Sequence, residues 1–125
     1  MNFDAEPTFT HPNRTAKKPK KHPERDLQVE CVNWFRSNYR NCLIWSTPNE
    51  AAATRATLFR QLGMLKGVSD IVVAMPNRIV FIEFKSEDNT QSREQKTFEQ
   101  KITRLGFDYY VVRSLEQFKE IIKSV

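Results

Sequence analysis

Two short apolar runs, residues 71–75 and 79–84, lie close together in the second half of the chain, with Pro76 and Asn77 between them. Runs of this length that are rich in Val, Ile and Phe are typical of β-strands, and a Pro-Asn pair between two such runs is typical of a turn. Neither run alternates strictly between apolar and polar residues, a pattern typical of central strands that helices cover on both faces. The pattern therefore predicts a β-hairpin inside a sheet.

Apolar residues at helical spacing predict four helices around this hairpin. The segments that show this spacing lie at residues 23–39, 47–67, 90–106 and 114–124. The second segment begins as a loop and continues as a helix that Gly67 ends. The leucines expected on one face of this helix are Leu58, Leu62 and Leu65. The apolar stripe expected on the third helix is Phe98, Ile102 and Leu105, and Gly106 is its stop signal.

Two further apolar runs, at residues 41–46 and 107–113, predict one strand before the hairpin and one after it. The elements then follow in the order helix, strand, helix, two strands, helix, strand and helix. A chain of 125 residues corresponds to one domain. We therefore expect an α/β fold with a mixed central sheet flanked by helices.

The N-terminal residues differ in composition from the rest of the chain. Residues 1–22 hold several prolines and a set of cations, namely Arg14, Lys17, Lys18, Lys20 and Lys21. The net charge of +5 and the isoelectric point near 9.4 favour a polyanionic partner such as nucleic acid. We expect residues 1–22 to be a disordered basic arm, which either binds nucleic acid or only solubilises the chain, and residues 23–125 to form the folded domain.

Other classes of protein are disfavoured by what the sequence lacks. No apolar run approaches the roughly 20 residues that span a bilayer, and the N-terminus has no apolar signal segment. Cys31 and Cys42 have no metal-ligand spacing and make no disulfide framework. We expect a cytoplasmic protein without a membrane partner, in which both cysteines are free thiols.

Charged residues lie at one end of the predicted hairpin. If the turn contains two or four residues, Glu83 lies opposite Asp70, and Lys85 lies on the same face one pleat further along. Two facing carboxylates repel each other, and a hard divalent cation such as Mg²⁺ or Mn²⁺ would turn that repulsion into attraction. A three-residue turn would place Asp70 on the other face. The alternative interpretation is that Asp70 caps a strand end while Glu83 and Lys85 form a solvent-facing ladder.

Five short motifs occur in order along the chain: ERDLQ, TPNEA (with Asn49 and Glu50), GVSD, IEFK and SREQ. In this order they resemble the VRR-NUC (virus-type replication-repair nuclease) family of the PD-(D/E)-x-K nuclease superfamily. Ser69 stands where that family usually has proline. Because proline contributes no ligand, we expect the site to survive this difference.

The resemblance implies a restriction-endonuclease-like core with the element order αβββαβ and a metal-dependent DNA endonuclease activity. Asp70 and Glu83 would be the metal ligands, together with the backbone carbonyl of Phe84, and Lys85 would position or activate the attacking water. Glu24 and Gln95 would line the site from the first and third helices, Glu24 through a metal-bound water. The cofactor would be Mg²⁺ or Mn²⁺.

Two of these residues also have a purely structural interpretation. Ser92 and Gln95 have the spacing of a capping box, in which the glutamine bonds back to the serine backbone. Glu24 is in the first turn of a helix, where an acid complements the helix dipole. The sequence leaves both alternatives open.

The resemblance also indicates the partners. The expected substrate is branched or duplex DNA, with selectivity for junctions or flaps in replication, repair or recombination, and a single small chain with one site suggests a homodimer. The candidate DNA-binding residues are Lys17, Lys18, Lys20, Lys21, Arg60, Lys66 and Arg93. The source would be a phage or a bacterium, so the protein would act in the bacterial or phage-infected host cell. The alternative function is a non-catalytic nucleic-acid-binding module on the same fold.

Overall fold

The computed structural model describes residues 22–47 and 56–124. In chain order their elements are α1 (Pro23–Asn38), β1 (Leu43–Ser46), α2 (Ala56–Gln61), β2 (Ile71–Met75), β3 (Arg78–Phe84), α3 (Arg93–Arg104), β4 (Asp108–Val112) and α4 (Leu115–Lys123). Leaving out α2 and α4, the order is αβββαβ, as predicted. None of the helices in these residues is long and apolar enough to cross a membrane.

The four strands form one mixed sheet in the order β1-β2-β3-β4. β2 pairs antiparallel with β1 and with β3, whereas β4 pairs parallel with β3. Met75 faces Arg78 across a two-residue turn, which sets the register of the whole hairpin. Asn77 adopts a φ of 57° in this turn, a left-handed conformation that asparagine tolerates better than most residues. The predicted α/β class and the predicted register are confirmed.

Helices cover both faces of the sheet. On one face, α1 and α4 contribute Phe35 and Phe118 to a cluster of buried side chains that includes Ile82 and Phe84 of β3. On the other face, Phe98 of α3 packs its ring edge-on against Phe81, with the ring centroids 5.8 Å apart. Cys31 is buried in the first cluster, and both cysteines are free thiols as predicted.

The predicted extent of the second helix is wrong. α2 ends at Gln61, because Gly63 takes a φ of 97° and turns the chain out of the helix. Leu65 and Gly67 therefore both lie in the loop between α2 and β2, and Gly67 does not end a helix. The side chains of Leu58, Leu62 and Leu65 are all exposed, so they do not form the expected buried face.

The predicted stripe of the third helix is right for Phe98 and wrong for Leu105. α3 ends at Arg104, so Leu105 is its C-cap, and 71% of its surface is exposed. The predicted arm cations lie outside the described residues, as do Asn49 and Glu50 of the TPNEA motif, of which only Thr47 is described.

Candidate active site

Asp70 and Glu83 meet on one rung of the hairpin. Ile71 pairs with Ile82, so the next rung toward the open end of the hairpin joins Asp70 to Glu83. The approach to Asp70 is held in place by Thr47, whose N–H donates to the Asp70 carbonyl at 2.9 Å and whose hydroxyl donates to the Ser69 carbonyl. The Asp70 carboxylate in turn accepts the Phe84 N–H at 2.7 Å. The backbone thus fixes where both carboxylates lie.

Ser69 is buried, and its hydroxyl donates to the Ile71 carbonyl at 3.0 Å. This hydrogen bond restrains the segment just before the aspartate, at the position where the family usually has proline. Asp70 lies opposite Glu83 with serine, and not proline, at the preceding position.

Burial favours the protonated form of both carboxyl groups of this rung, because it raises the pKa of each. Burial is the main reason that the pKa of Glu83 is raised to about 9, and the adjacent Asp70 raises it further. Burial also raises the pKa of Asp70, although a hydrogen bond from the Phe84 N–H partly offsets this rise. Only 1% of Glu83 is exposed. A proton or a cation is therefore needed to hold these two groups together.

Gln95 takes part in a capping box and also contacts Glu83, so its two interpretations from the sequence are compatible. Its backbone N–H donates to the Ser92 hydroxyl and its Oε1 accepts the Ser92 N–H at 2.8 Å, which completes a capping box at the start of α3. Its Nε2 donates to both carboxylate oxygens of Glu83, at 3.1 and 3.0 Å. One side chain thus takes part in capping α3 and also binds the Glu83 carboxylate.

Lys85 lies on the same face of β3 as Glu83, one pleat beyond it. Its backbone N–H donates to the Val112 carbonyl at 3.0 Å, so the chain stays attached to β4 after the strand ends. Only 8% of Lys85 is exposed, and its positive charge lowers the pKa of both Asp70 and Glu83. Within residues 22–47 and 56–124, no salt bridge engages its ammonium group.

Glu24 of α1 holds the turn that follows Lys85. Its Oε2 accepts the Ser86 N–H at 3.1 Å, the Ser86 hydroxyl at 3.2 Å and the Asn89 amide at 2.6 Å. Burial acts to raise the pKa of Glu24, but these hydrogen bonds and the charge of Lys85 outweigh it and leave the pKa below its ordinary value. Glu24 is therefore an ionised anchor of the turn at neutral pH.

Arg113 holds the same turn from the opposite side, and sequence reasoning missed it. Its guanidinium donates to the carbonyls of Ser86 and Asn89, at 2.6 and 2.8 Å. The sequence around Arg113 contains no pattern to indicate that this side chain hydrogen-bonds to a residue 27 positions earlier. Glu24 and Arg113 together clamp the segment that joins Lys85 to the start of α3.

The three cations predicted to bind DNA within the folded part do not form one group. Lys66 and Arg93 line one groove along α3, although they are far apart in sequence. Arg60 belongs to α2 and is not among the residues that line this groove.

The atoms at Asp70 and Glu83 that could bind a metal ion are mainly oxygens. The described residues contain no group of three or more His, Cys, Asp or Glu side chains arranged to hold a metal ion. A cation here would rely on the two carboxylates, supplemented by the Phe84 carbonyl and water. Carboxylate, carbonyl and water oxygens suit Mg²⁺ and Mn²⁺, so the residues present fit such an ion.

A mixed α/β sheet with two acids and a lysine at the end of its central hairpin is consistent with a restriction-endonuclease-like fold. The chain belongs to the VRR-NUC domain family, a nuclease-type family whose model matches residues 13–116. No curated protein matches the chain.

Two solved structures of VRR-NUC domain proteins have the same fold. One, with 18% identity, covers 84% of this chain and 88% of its own, with a TM-score of 0.68. The other, with 19% identity, covers 82% of this chain and 97% of its own, with a TM-score of 0.61. At these identities the likeness concerns the fold alone.

Proposed function

We propose that this protein is a Mg²⁺- or Mn²⁺-dependent endonuclease that hydrolyses phosphodiester bonds in DNA. The observation that carries the proposal is the rung of half-buried Asp70 and buried Glu83, with buried Lys85 one pleat away on the same face. Two acids that face each other with little access to solvent are destabilising unless a cation or a proton lies between them. A lysine beside such a pair is suited to stabilising the charge that develops on a phosphate.

Each residue of the site has a distinct part in this reaction. Asp70, Glu83 and the Phe84 carbonyl would hold the divalent cation, which when bound supplies Lewis-acid stabilisation of the phosphate. Lys85 orients the attacking water in line with the leaving oxygen and offsets negative charge on the phosphate. Gln95 fixes both oxygens of Glu83, and Glu24 keeps the turn after Lys85 in place, with a water-mediated contact to the cation as its second role.

The substrate in this proposal is branched or duplex DNA, and the working unit is a homodimer. One chain carries one candidate site, so cleavage of both strands of a duplex or a junction requires two chains. The exposed cations of the chain would supply the sequence-independent attraction to phosphates.

The test is a cleavage assay on linear duplex, hairpin, flap and four-way-junction DNA, with Mg²⁺, Mn²⁺ or a chelator. We expect metal-dependent cleavage, which Asp70→Asn and Glu83→Gln each abolish while the thermal unfolding temperature is kept or raised. Glu87→Gln is the matched control, because it removes an exposed acid from the turn after Lys85.

Lys85→Ala distinguishes catalysis from binding within the same assay. We expect it to lower turnover far more than DNA affinity, since it removes only one of 20 Lys and Arg residues. Full cleavage by the Asp70 or Glu83 variant would contradict the metal-dependent mechanism. DNA binding without cleavage of any substrate would instead identify a non-catalytic binding module.

A further inference from the structure

A groove of about 440 Å³ runs along α3, between this helix and the loop that contains Leu65 and Lys66. Its apolar lining comes from Leu65, Phe98, Ile102 and Leu105. Leu65 and Leu105 are 55% and 71% exposed. A volume of this size is within the range of small-molecule sites in proteins.

The groove begins beside the candidate active site. Glu94 lines it, and the next residue, Gln95, donates to both oxygens of Glu83. Gly67 packs so closely against the start of α3 that a Cβ there would overlap the Glu94 carbonyl. The first turn of α3 therefore contributes one residue to the groove and the next residue to the candidate site.

The charge of the groove favours an anionic occupant. Lys66, Arg93 and Lys101 line it together with a single acid, Glu94. None of the three cations takes part in a salt bridge with another described residue. Their charges are thus available to phosphate groups, which Lys and Arg attract without regard to sequence.

We infer that this groove binds an unpaired nucleotide of a single-stranded DNA segment adjoining the cleavage site. This inference rests on the proposed function and deepens it by naming the substrate class. An unpaired base presents an apolar face to the leucine and phenylalanine side chains, while its phosphates reach the lysines and the arginine. A base stacked within a duplex has no free face to offer, so the groove selects DNA with a single-stranded overhang or flap.

A second copy of this chain fits the groove less well. Symmetric dimers place the same patch of each chain against the other, so the three uncompensated cations of one copy would lie close to those of its partner. Like charges brought together in this way repel each other, whereas DNA would neutralise them.

The test uses the full chain without added divalent cation, so that DNA is bound and not cut. The probe is a duplex with a single-stranded overhang that carries fluorescent 2-aminopurine beside the duplex end, compared with the same duplex without the overhang. We expect the overhang DNA to bind more tightly and the fluorescence of the unpaired base to change on binding. Leu105→Ser should weaken overhang binding about tenfold, as expected for the loss of one buried apolar contact, and Lys101→Glu should weaken it through the loss of a phosphate contact.

Matched controls separate the groove from general effects of charge and exposure. Leu43→Ser removes a leucine that is 66% exposed on β1, and Lys123→Glu reverses a lysine in the last turn of α4. Both controls should leave the preference for the overhang unchanged.

Three outcomes would overturn the inference. The first is equal affinity for overhang and blunt DNA, and the second is an unchanged overhang preference in Leu105→Ser. The third is a loss of self-association in Leu105→Ser, measured by sedimentation, without any effect on overhang affinity. If metal-dependent cleavage persists alongside any of these outcomes, the proposed nuclease activity is retained and only the role of the groove is wrong. If overhang binding depends on the groove but no DNA is cleaved, the nuclease activity is wrong and the role of the groove is retained.

Discussion

Gln95 uses the two polar atoms of its amide for different partners. The oxygen accepts the Ser92 N–H in the capping box of α3, and the nitrogen donates to both oxygens of Glu83. The stability of the helix and the geometry of the candidate site therefore depend on the same side chain.

Gln95→Glu separates these two roles. A glutamate still completes a capping box, but it cannot donate to Glu83 and adds a third negative charge to the site. We expect cleavage to fall about 10- to 100-fold, as for a lost hydrogen bond to a charged group. Gln95→Ala should lose activity and also about 1 kcal/mol of unfolding free energy, because it removes the side-chain acceptor of the Ser92 N–H in the capping box. Full activity of Gln95→Glu would mean that Gln95 only caps the helix.

Glu83 makes the stability of the metal-free protein depend on pH. Its pKa is about 9 in the folded chain against an ordinary value of 4.5, so the folded state favours the protonated form. The associated stabilisation is complete below pH 4.5 and is lost as the pH rises toward 9. With a chelator present, the unfolding temperature of the wild type should fall across this range. Glu83→Gln should flatten the curve, and an equally steep curve in that variant would assign the effect to other groups.

At the scale of elements, the loop after β3 connects three parts of the fold. Glu24 reaches it from α1, Arg113 reaches it from the end of β4, and Gln95 lies just beyond it in α3. Lys85 is the first residue of this segment, so the position of its ammonium group depends on contacts made by residues distant in sequence.

Arg113→Ala should therefore impair the reaction even though the Arg113 side chain does not contact the DNA. We expect turnover to fall about tenfold or more while KM changes little, because a displaced Lys85 is a positioning defect. Arg113→Lys should rescue part of this loss, since both hydrogen bonds come from the single nitrogen Nη1 and an ammonium group also carries enough protons for two carbonyls. Arg40→Ala, which removes an exposed arginine between α1 and β1, is the control. An effect confined to KM would instead indicate that Arg113 binds DNA.

Gly67 and Gly63 offer a matched pair for testing how closely α3 packs. Both have a positive φ, of 83° and 97°, which costs an alanine about 1–2 kcal/mol. A Cβ at Gly63 would meet nothing within 4 Å, whereas one at Gly67 would lie 2.8 Å from the Gln95 nitrogen. Gly67→Ala should therefore lower the unfolding free energy clearly more than Gly63→Ala and also weaken cleavage. Equal effects of the two substitutions would show that the packing is loose.

Local sequence signals are sufficient to predict the hairpin and insufficient to predict the contacts around it. The sequence pairs Asp70 with Glu83 only if the turn at Pro76 and Asn77 has an even number of residues, and the structure supplies that condition with a two-residue turn. The end of α2 depends on the conformation of Gly63, which periodicity does not report. The clamp by Arg113 is a long-range contact without a local pattern. Hydrophobic spacing also does not indicate that Leu105 lies past the end of α3.

At the scale of the whole molecule, positive charge is divided between the N-terminal residues and the folded part. Five cations, Arg14, Lys17, Lys18, Lys20 and Lys21, fall within the first 21 residues, and the candidate ligands all come later in the chain. Attraction to DNA and the chemistry of cleavage can therefore be tested separately.

Deletion of residues 1–21 should weaken DNA binding and flatten its salt dependence, with cleavage retained at low salt and high protein concentration. Each phosphate contact contributes about 0.9 to the slope of log affinity against log salt, so removal of the five cations could reduce the magnitude of that slope by up to about 4.5. Binding titrations at several salt concentrations measure the slope. An unchanged slope would make these residues a passive tail, and loss of cleavage at saturation would mean that they help to form the site.

The rung of half-buried Asp70 and buried Glu83 also has an evolutionary consequence. A copy of this chain released from selection for its site would gain stability by replacing Glu83 or Asp70 with an uncharged residue, since the pair is unfavourable on its own. Genetic drift would then replace one of the two acids early, before most core positions had changed. A lineage that keeps both acids, the lysine and the glutamine retains a pair of carboxylates that lowers the stability of the fold. We expect this only where selection maintains the site.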